Sequence, residues 1–330
     1  MDKSSMGKFC KKLKKIHGAA ECRSFSGRVE CYAAIFDAIE LGPNDCVYVS
    51  PLTPGSIVRL ILAYRAIPVF CDIAADSFLM DHRSLENAVR QTISADRLYP
   101  RAVIASYVCG MPFAFRAVNG ICDRMGLILI EDCGNGYGGT WDGTLSGSAG
   151  DYAVLSLGRS SVFGTGGSGC LLLCREDFEL SRNLKFCDGE GYDTADAMYA
   201  DALLAALDGI PAVLERTREA FAAVTEAMKD SDFWLQRGSG RHRSSCIGTV
   251  VIAQDEAQCQ AAVAALEAAG LSDFVKRMHS HHKACFEHGC RGFKFLDNAN
   301  ALAPRSFTLD LMGALNAGQF DALLSKLKEL

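Results

Sequence analysis

The sequence lacks any uninterrupted apolar run of about eighteen residues, so we expect no membrane-spanning helix. It also lacks a basic excess, because 34 Lys and Arg stand against 39 Asp and Glu, giving a formal net charge of −5. A protein that binds nucleic acid by neutralising phosphates needs the opposite balance. We therefore expect a small-molecule ligand, and neither nucleic acid nor a membrane as a partner.

The sequence predicts neither a disulfide framework nor a secretion signal. The 15 cysteines are odd in number and scattered, often inside apolar runs, as free buried thiols are. Residues 1–18 hold six lysines but not the apolar core of a signal peptide. Phe9, Leu13 and Ile16 have helical spacing there, which favours a docked terminal helix over a membrane-surface helix. These features together predict a reducing, cytoplasmic location.

The first 175 residues repeat one rhythm, in which short apolar runs alternate with amphipathic helical patterns. This alternation predicts an α/β fold with a mostly parallel sheet covered on both faces. Ligands of such sheets bind at the carboxyl ends of the strands, so candidate site residues should follow the apolar runs. The runs are CVYVSP, IPVFCDI, AVIASYV, LILIED, YAVLSL and GCLLLC.

The pattern changes past residue 195. A long alanine-rich helical segment follows, with a predicted interruption near Gly209 and Pro211. Strand-like and helical segments then alternate to the end of the chain. We therefore predict a large domain over residues 1–195 and a smaller α+β domain over residues 196–330.

Two motifs contain residue types found in ligand sites, but each has a simpler interpretation. GTGGSG at 164–169 precedes a strand instead of opening a helix, which favours a tight turn over a dinucleotide site. The stretch 279–290 is rich in imidazoles and thiols, yet its spacing matches no closed zinc module, so no metal is predicted. Its candidate ligands are His279, His281, His282, Cys285, His288 and Cys290.

Two further features lie where ligands of a parallel sheet bind. Glu131 and Asp132 end an apolar run, where an acid either caps the next turn or faces a ligand. Ser26 and Gly27 introduce a helical pattern whose first backbone N–H groups and dipole can hold a phosphate. Each feature alone is ordinary.

Taken in chain order, these segments resemble the DegT-type nucleotide-sugar aminotransferases, which belong to fold type I of the pyridoxal-phosphate enzymes. The resemblance is carried by residues 40–89, ASYVCGMP at 105–112, residues 125–157 and GTGGSGCLLLC at 164–174. It implies a three-layer α/β sandwich with a mostly parallel central sheet and a smaller C-terminal α+β domain. It also implies a homodimer that binds a nucleotide-linked sugar.

The resemblance assigns roles to single residues. Asp132 stands where the family pairs an aspartate with the pyridinium nitrogen of the cofactor. Asn135 stands where a glutamine near the phenolic oxygen is usual. Arg28 replaces a common threonine and brings a charged group to the phosphate region. The phosphate-binding places themselves are matched by Ser26, Gly27 and Ser156.

The sequence departs from the family where the catalytic lysine is expected. That lysine should lie five residues after Ser156, but the position holds Ser161, and no lysine occurs between Lys15 and Lys185. A serine hydroxyl cannot form an imine, and it is a poor general base in a role that contributes about 10²- to 10⁴-fold. Pro54 also replaces a stacking aromatic, and the segment YDTADAMYA lacks the family's asparagine and arginine.

Three interpretations follow from these departures. The first and favoured one is a lysine-less pseudoenzyme that keeps a ligand pocket without classical transamination. The second is an enzyme, of dehydratase or aminotransferase type, that uses pyridoxamine or pyridoxal phosphate noncovalently on a nucleotide-linked keto sugar, with His279 as replacement base. The third is an aminotransferase whose lysine comes from elsewhere, such as Lys185 or a partner chain. Arg159, next to Ser160, is a candidate to fill the vacant lysine position.

Overall fold

The structure, a computed structural model, describes residues 5–134, 136–158, 160–164, 169–175, 200–280 and 296–330. Within these residues the strands are β1 Glu21–Phe25, β2 Asp45–Val49, β3 Ile67–Phe70, β4 Tyr99–Ser106, β5 Ile128–Asp132, β6 Thr140–Trp141, β7 Thr144–Leu145, β8 Tyr152–Ser156, β9 Cys170–Cys174, β10 Trp234–Leu235, β11 His242–Arg243, β12 Gly248–Ile252, β13 Val275–Arg277 and β14 Ser306–Asp310. The α-helices are α1 Ser5–His17, α2 Arg28–Ala38, α3 Gly55–Ala63, α4 His82–Ser94, α5 Phe115–Met125, α6 Ala200–Ala227, α7 Glu256–Ala268, α8 Asp297–Leu302, α9 Leu311–Asn316 and α10 Phe320–Leu327.

The larger sheet has seven strands in the spatial order β1-β9-β8-β5-β4-β2-β3. The pairs from β8 to β3 are parallel, whereas β9 runs antiparallel to both β8 and β1. The predicted α/β class with a mostly parallel sheet is confirmed. Sequence reasoning missed the edge strand β1, because only Phe25 of its five residues is buried and no apolar run marks it.

Apolar side chains alternate between the two faces of this sheet and form a separate core on each. On β4, Val103 belongs to one core, while Ala102 and Ile104 belong to the other. Helices α1, α4 and α5 cover the first face, and α2 and α3 cover the second. Burial on both faces explains the long apolar runs of these strands.

A smaller antiparallel sheet, in the order β10-β12-β14-β13, follows later in the chain. A third core lies between this sheet and helices α7, α9 and α10. The predicted domain boundary after residue 195 lies outside the described residues, so the division into two domains stays a prediction.

Helix α6 runs without a break through Pro211, so the predicted interruption near Gly209 and Pro211 is wrong. Proline removes one backbone hydrogen bond from a helix and crowds the preceding turn. Packing offsets this cost at both ends, because Leu203 contributes to the first core and Val224 to the third.

Helix α1 docks on the larger sheet as predicted, but the buried stripe differs by one residue. Phe9 and Leu13 are fully buried, whereas Ile16 is 49 % exposed. His17 takes the third buried position, because residues four apart lie on the same helical face.

The twelve cysteines within the described residues are all free. No helix in the same residues is both long enough and apolar enough to span a membrane.

Candidate functional site

Three candidate residues meet where the parallel strands end. Strand β5 ends at Asp132 and its neighbour β8 ends at Ser156. Helix α2 starts at Arg28, whose side chain reaches the end of β5. The candidate residues therefore lie at the carboxyl edge of the sheet, where ligands of parallel sheets bind.

Asp132 and Arg28 form a largely buried ion pair. The side chain of Asp132 is 4 % exposed and that of Arg28 is 24 % exposed, with Nη1 of Arg28 3.5 Å from Oδ2 of Asp132. The other carboxylate oxygen, Oδ1, accepts a hydrogen bond of 3.1 Å from the backbone N–H of Gly134. The Asp132 carboxylate raises the pKa of the Arg28 guanidinium, and burial together with Asp132 raises the pKa of Tyr32 nearby. The Arg28 guanidinium therefore stays protonated at neutral pH.

Gly134 lets this guanidinium lie directly on the loop that follows β5. A Cβ atom at this glycine would come within 2.0 Å of Nη2 and 2.8 Å of Cζ of Arg28. Real Cβ atoms do not approach so closely, so any other residue at Gly134 would displace the arginine side chain. Arg28 was expected to bring charge to the phosphate region, and its charged contact in the structure is with Asp132.

Glu131, next to Asp132, has a structural role, because hydrogen bonds within the protein hold its carboxylate. Its carboxylate accepts hydrogen bonds from the hydroxyl of Tyr107 at 2.5 Å and from the backbone N–H groups of Gly147, Ala149 and Gly150 at 2.9, 2.7 and 2.6 Å. Burial raises the pKa of Glu131, and these four donors act in the opposite direction. Of the two alternatives considered for the acids, Glu131 caps a turn, whereas the ligand role of Asp132 stays a prediction.

Ser156 is the last residue of β8, and Ser160 and Ser161 lie in the loop that follows. The Ser156 hydroxyl accepts a 3.2 Å hydrogen bond from the N–H of Gly158, so it turns back onto its own chain. The Ser160 hydroxyl donates to the carboxylate of Asp310, which also caps α9. This contact ties the loop to the smaller sheet.

Ser161 is 4 % exposed, and its backbone is held in the turn. Its N–H donates to the carbonyl of Gly158 at 2.9 Å, and its carbonyl accepts from Gly164 at 3.0 Å. Its Oγ has no hydrogen-bond partner among the described residues. A buried hydroxyl without a partner costs about 1–3 kcal/mol. A ligand group that forms a hydrogen bond with this hydroxyl would remove that cost.

The remaining predicted residues add less. Gly27 is the N-cap of α2 and carries no side chain to cap it, so the first N–H groups of the helix beside Ser26 stay available. Pro54 is the N-cap of α3. His279 is exposed beyond β13, and no polar contact joins it to the Arg28–Asp132 pair within the described part of the chain.

Several predicted positions cannot be placed. Asn135, Arg159, most of the GTGGSG turn and residues 281–295 of the histidine-rich segment lie outside the described residues. In the ranges that are described, no group of three or more His, Cys, Asp or Glu residues is arranged to hold a metal ion.

Sequence reasoning identified Arg28 and Asp132 separately but missed that they pair. The available signal was a charged residue where the family commonly has a threonine. It also missed the Ser160–Asp310 contact, because nothing in the local sequence connects positions so far apart.

The sheet order, the helices on both faces and the acid at the end of β5 define an α/β protein of the fold type I aminotransferase class. A sequence model described as the DegT/DnrJ/EryC1/StrS aminotransferase family matches residues 3–328. The chain belongs to this family.

Solved structures agree with this fold. A DegT DnrJ EryC1 StrS aminotransferase from Brucella abortus superimposes with a TM-score of 0.86 at 22 % identity, covering 98 % of this chain and 90 % of that one. A putative sugar aminotransferase, Spr1654 from Streptococcus pneumoniae, in its PLP-form gives a TM-score of 0.83 at 17 % identity, covering 99 % and 91 %. At these identities the likeness concerns the fold alone.

Among curated proteins, dTDP-3-amino-3,4,6-trideoxy-alpha-D-glucose transaminase of Micromonospora megalomicea subsp. nigra is 28 % identical over 171 residues. The match spans 52 % of this chain and 44 % of that relative, so it covers less than half of the relative's length.

Proposed function

We propose that this chain keeps the ligand pocket of a sugar aminotransferase but does not carry out classical transamination. The observation that carries the proposal is Ser161, at the position where the resemblance expects the catalytic lysine. Ser161 is buried, and its hydroxyl has no hydrogen-bond partner among the residues that the structure describes. The ligand class we propose is a nucleotide-linked sugar, because the Micromonospora relative is named for such a compound.

The residues at the site do not fit a covalently attached pyridoxal phosphate. Residues 157–169, between β8 and β9, include no lysine that could bind the cofactor aldehyde. Asp132, the expected partner of the ring nitrogen, already has Arg28 as its counter-ion. Serine also lacks the basicity to move a proton between carbon atoms, a task that contributes about 10²- to 10⁴-fold when a positioned group performs it.

The first test is to titrate the purified chain with pyridoxal phosphate and record its visible absorbance. Borohydride reduction and peptide mapping then show whether any lysine carries the cofactor. We expect no visible imine band, no adduct at a single lysine, and no amino transfer from an amino-acid donor to a nucleotide-linked keto sugar.

Lys185→Arg is the matched control, because it keeps the charge at 185 but removes the amine nearest in sequence to the expected lysine position. Amino transfer by the natural chain that is lost in Lys185→Arg would contradict the proposal and favour a lysine supplied from outside the usual motif.

A second candidate function is a noncovalent enzyme of dehydratase or aminotransferase type that uses pyridoxamine phosphate. It is favoured by Asp132 and Ser156, which end neighbouring strands at family positions for ring and phosphate. His279 is the candidate base. Turnover of a keto sugar with pyridoxamine phosphate, lost in His279→Gln while cofactor affinity is unchanged, would establish this function. Its absence in the natural chain would leave the first proposal.

We also propose a homodimer, as the resemblance implies. Light scattering on the purified chain distinguishes a dimer from a monomer.

A further inference from the structure

The arginine at the start of α2 lies beside Asp132, the residue that the resemblance expects to pair with a pyridinium nitrogen. Oδ1 of Asp132 is used by the Gly134 N–H, and Oδ2 faces Nη1 of Arg28 at 3.5 Å. The guanidinium also lies against the backbone of Gly134, within 2.0 Å of where a Cβ would be. The guanidinium therefore lies next to Oδ2, the oxygen that a ring nitrogen would approach, although Oδ2 has no hydrogen-bond partner among the described residues.

The charges of Arg28 and Asp132 also disfavour a protonated pyridine ring at this position. A carboxylate buried without a counter-ion is strongly disfavoured, so Asp132 needs one cation, and Arg28 supplies it from within the chain. A protonated ring nitrogen entering beside Asp132 would bring a second positive charge next to the guanidinium. Like charges at contact distance disfavour each other, so the ring would bind unprotonated or force the arginine out.

We propose that Arg28 is a built-in counter-ion for Asp132 that excludes the pyridine ring of pyridoxal and pyridoxamine phosphate. The inference deepens the proposed function, because it names the residue that turns a cofactor pocket toward another ligand. A molecule that binds beside Asp132 meets an ion pair, whose two charges cancel, instead of a bare carboxylate. It needs no basic ring nitrogen to bind there.

The test is calorimetric titration with pyridoxamine phosphate, which has no aldehyde and so reports noncovalent affinity alone. Arg28→Thr removes the guanidinium and installs the residue that is common in the family. We expect Arg28→Thr to bind pyridoxamine phosphate at least about tenfold more tightly than the natural chain. Arg28→Lys is the matched control, because it keeps the positive charge, and we expect it to bind as weakly as the natural chain.

Thermal unfolding of each variant establishes that it is folded before titration. If Arg28→Thr does not fold, Arg28→Gln replaces it, since its amide can donate to Asp132 without a charge. An affinity in either folded variant no greater than that of the natural chain overturns the inference. A natural chain that binds pyridoxamine phosphate with a dissociation constant of about 10 μM or tighter also overturns it, with no variant required.

These results separate the two proposals. Tight binding of pyridoxamine phosphate by a chain that does not transaminate defeats the role of Arg28 and leaves the proposed function intact. Amino transfer by a chain that binds pyridoxamine phosphate weakly defeats the proposed function and leaves the role of Arg28 intact.

Discussion

Two buried serines of this chain differ in whether their hydroxyls are satisfied. Ser306 donates to the carbonyl of Leu302 at 2.8 Å, whereas Ser161 has no hydrogen-bond partner among the described residues. Removing an unsatisfied hydroxyl relieves a cost of about 1–3 kcal/mol, whereas removing a bonded one loses about 1 kcal/mol. We therefore expect Ser161→Ala to leave the free energy of unfolding unchanged or raise it, and Ser306→Ala to lower it, as measured by urea unfolding.

The same pair of variants tests the assignment of Ser161 to a ligand. A loss of stability in Ser161→Ala as large as that in Ser306→Ala would mean that the Ser161 hydroxyl has a protein partner in solution. The atom would then have no reason to await a ligand group.

At this scale the sequence predicted where the acids lie but not what each does. Both Glu131 and Asp132 were expected at the end of a buried strand, and both are there. Their roles depend on partners from other parts of the chain: the turn 147–150 satisfies Glu131, and Arg28 pairs with Asp132. No local pattern encodes which of two neighbouring carboxylates finds its donors after folding.

Among the elements, helix α1 is anchored by a buried histidine. Nδ1 of His17 lies 2.8 Å from the Ser148 hydroxyl and Nε2 lies 3.1 Å from that of Tyr137. Burial lowers the pKa of His17 from 6.5 to about 4. The unfolded chain therefore binds a proton at a pH where the folded chain does not, and the stability of the fold decreases as the pH falls from about 6.5 toward 4.

We expect replacement of His17 by Phe to remove this part of the pH dependence. The shift of His17 from 6.5 to about 4 corresponds to about 3 kcal/mol at most, at about 1.4 kcal/mol per pKa unit. At neutral pH the variant has a lower free energy of unfolding than the natural chain, because it loses both hydrogen bonds of His17. Urea unfolding at a series of pH values measures the difference, with His82→Gln at the start of α4 as the control. If the free energy of unfolding changed with pH in the same way in the natural chain and in His17→Phe, His17 would not be the source of this pH dependence.

Helix α6 makes a second prediction at this scale. Pro211 is exposed inside a continuous helix and lacks one backbone N–H, so Pro211→Ala should raise the free energy of unfolding by about 1–3 kcal/mol. Gly209→Ala is the matched control, since a Cβ there meets nothing within 4 Å, and we expect a gain of about 0.5–1 kcal/mol. A loss of stability in Pro211→Ala would show that the helix is broken there, as the sequence alone suggested.

Strands that carry long apolar runs were predicted, and β1 was not. The sequence signal of β2, β4, β5 and β8 arises because parallel strands are buried on both faces. Edge strand β1 buries only Phe25, so it carries no such signal.

For the whole molecule, the candidate site draws on segments that are distant in sequence. Arg28 at the start of α2 contacts Asp132 at the end of β5, and Ser160, after β8, contacts Asp310 at the cap of α9. The fold class could be predicted from the periodicity of apolar residues, because this pattern within each segment reflects which of its side chains are buried. The pairing of Arg28 with Asp132 could not, since it depends on how β1 and β5 are arranged in the folded sheet.

The proposed roles of Ser161 and Arg28 together yield a prediction about restoring the cofactor. Ser161→Lys supplies an amine, but Arg28 still occupies the carboxylate that the ring nitrogen needs. Arg28→Thr frees Asp132 but supplies no amine. We therefore expect a visible imine band with pyridoxal phosphate, and a borohydride-trapped adduct at residue 161, only in the double variant Arg28→Thr/Ser161→Lys. The double variant Arg28→Lys/Ser161→Lys is the control, because it keeps a cation beside Asp132.

A band in Ser161→Lys alone would show that Arg28 does not exclude the ring. A folded double variant without a band would show that residue 161 is not the lysine position.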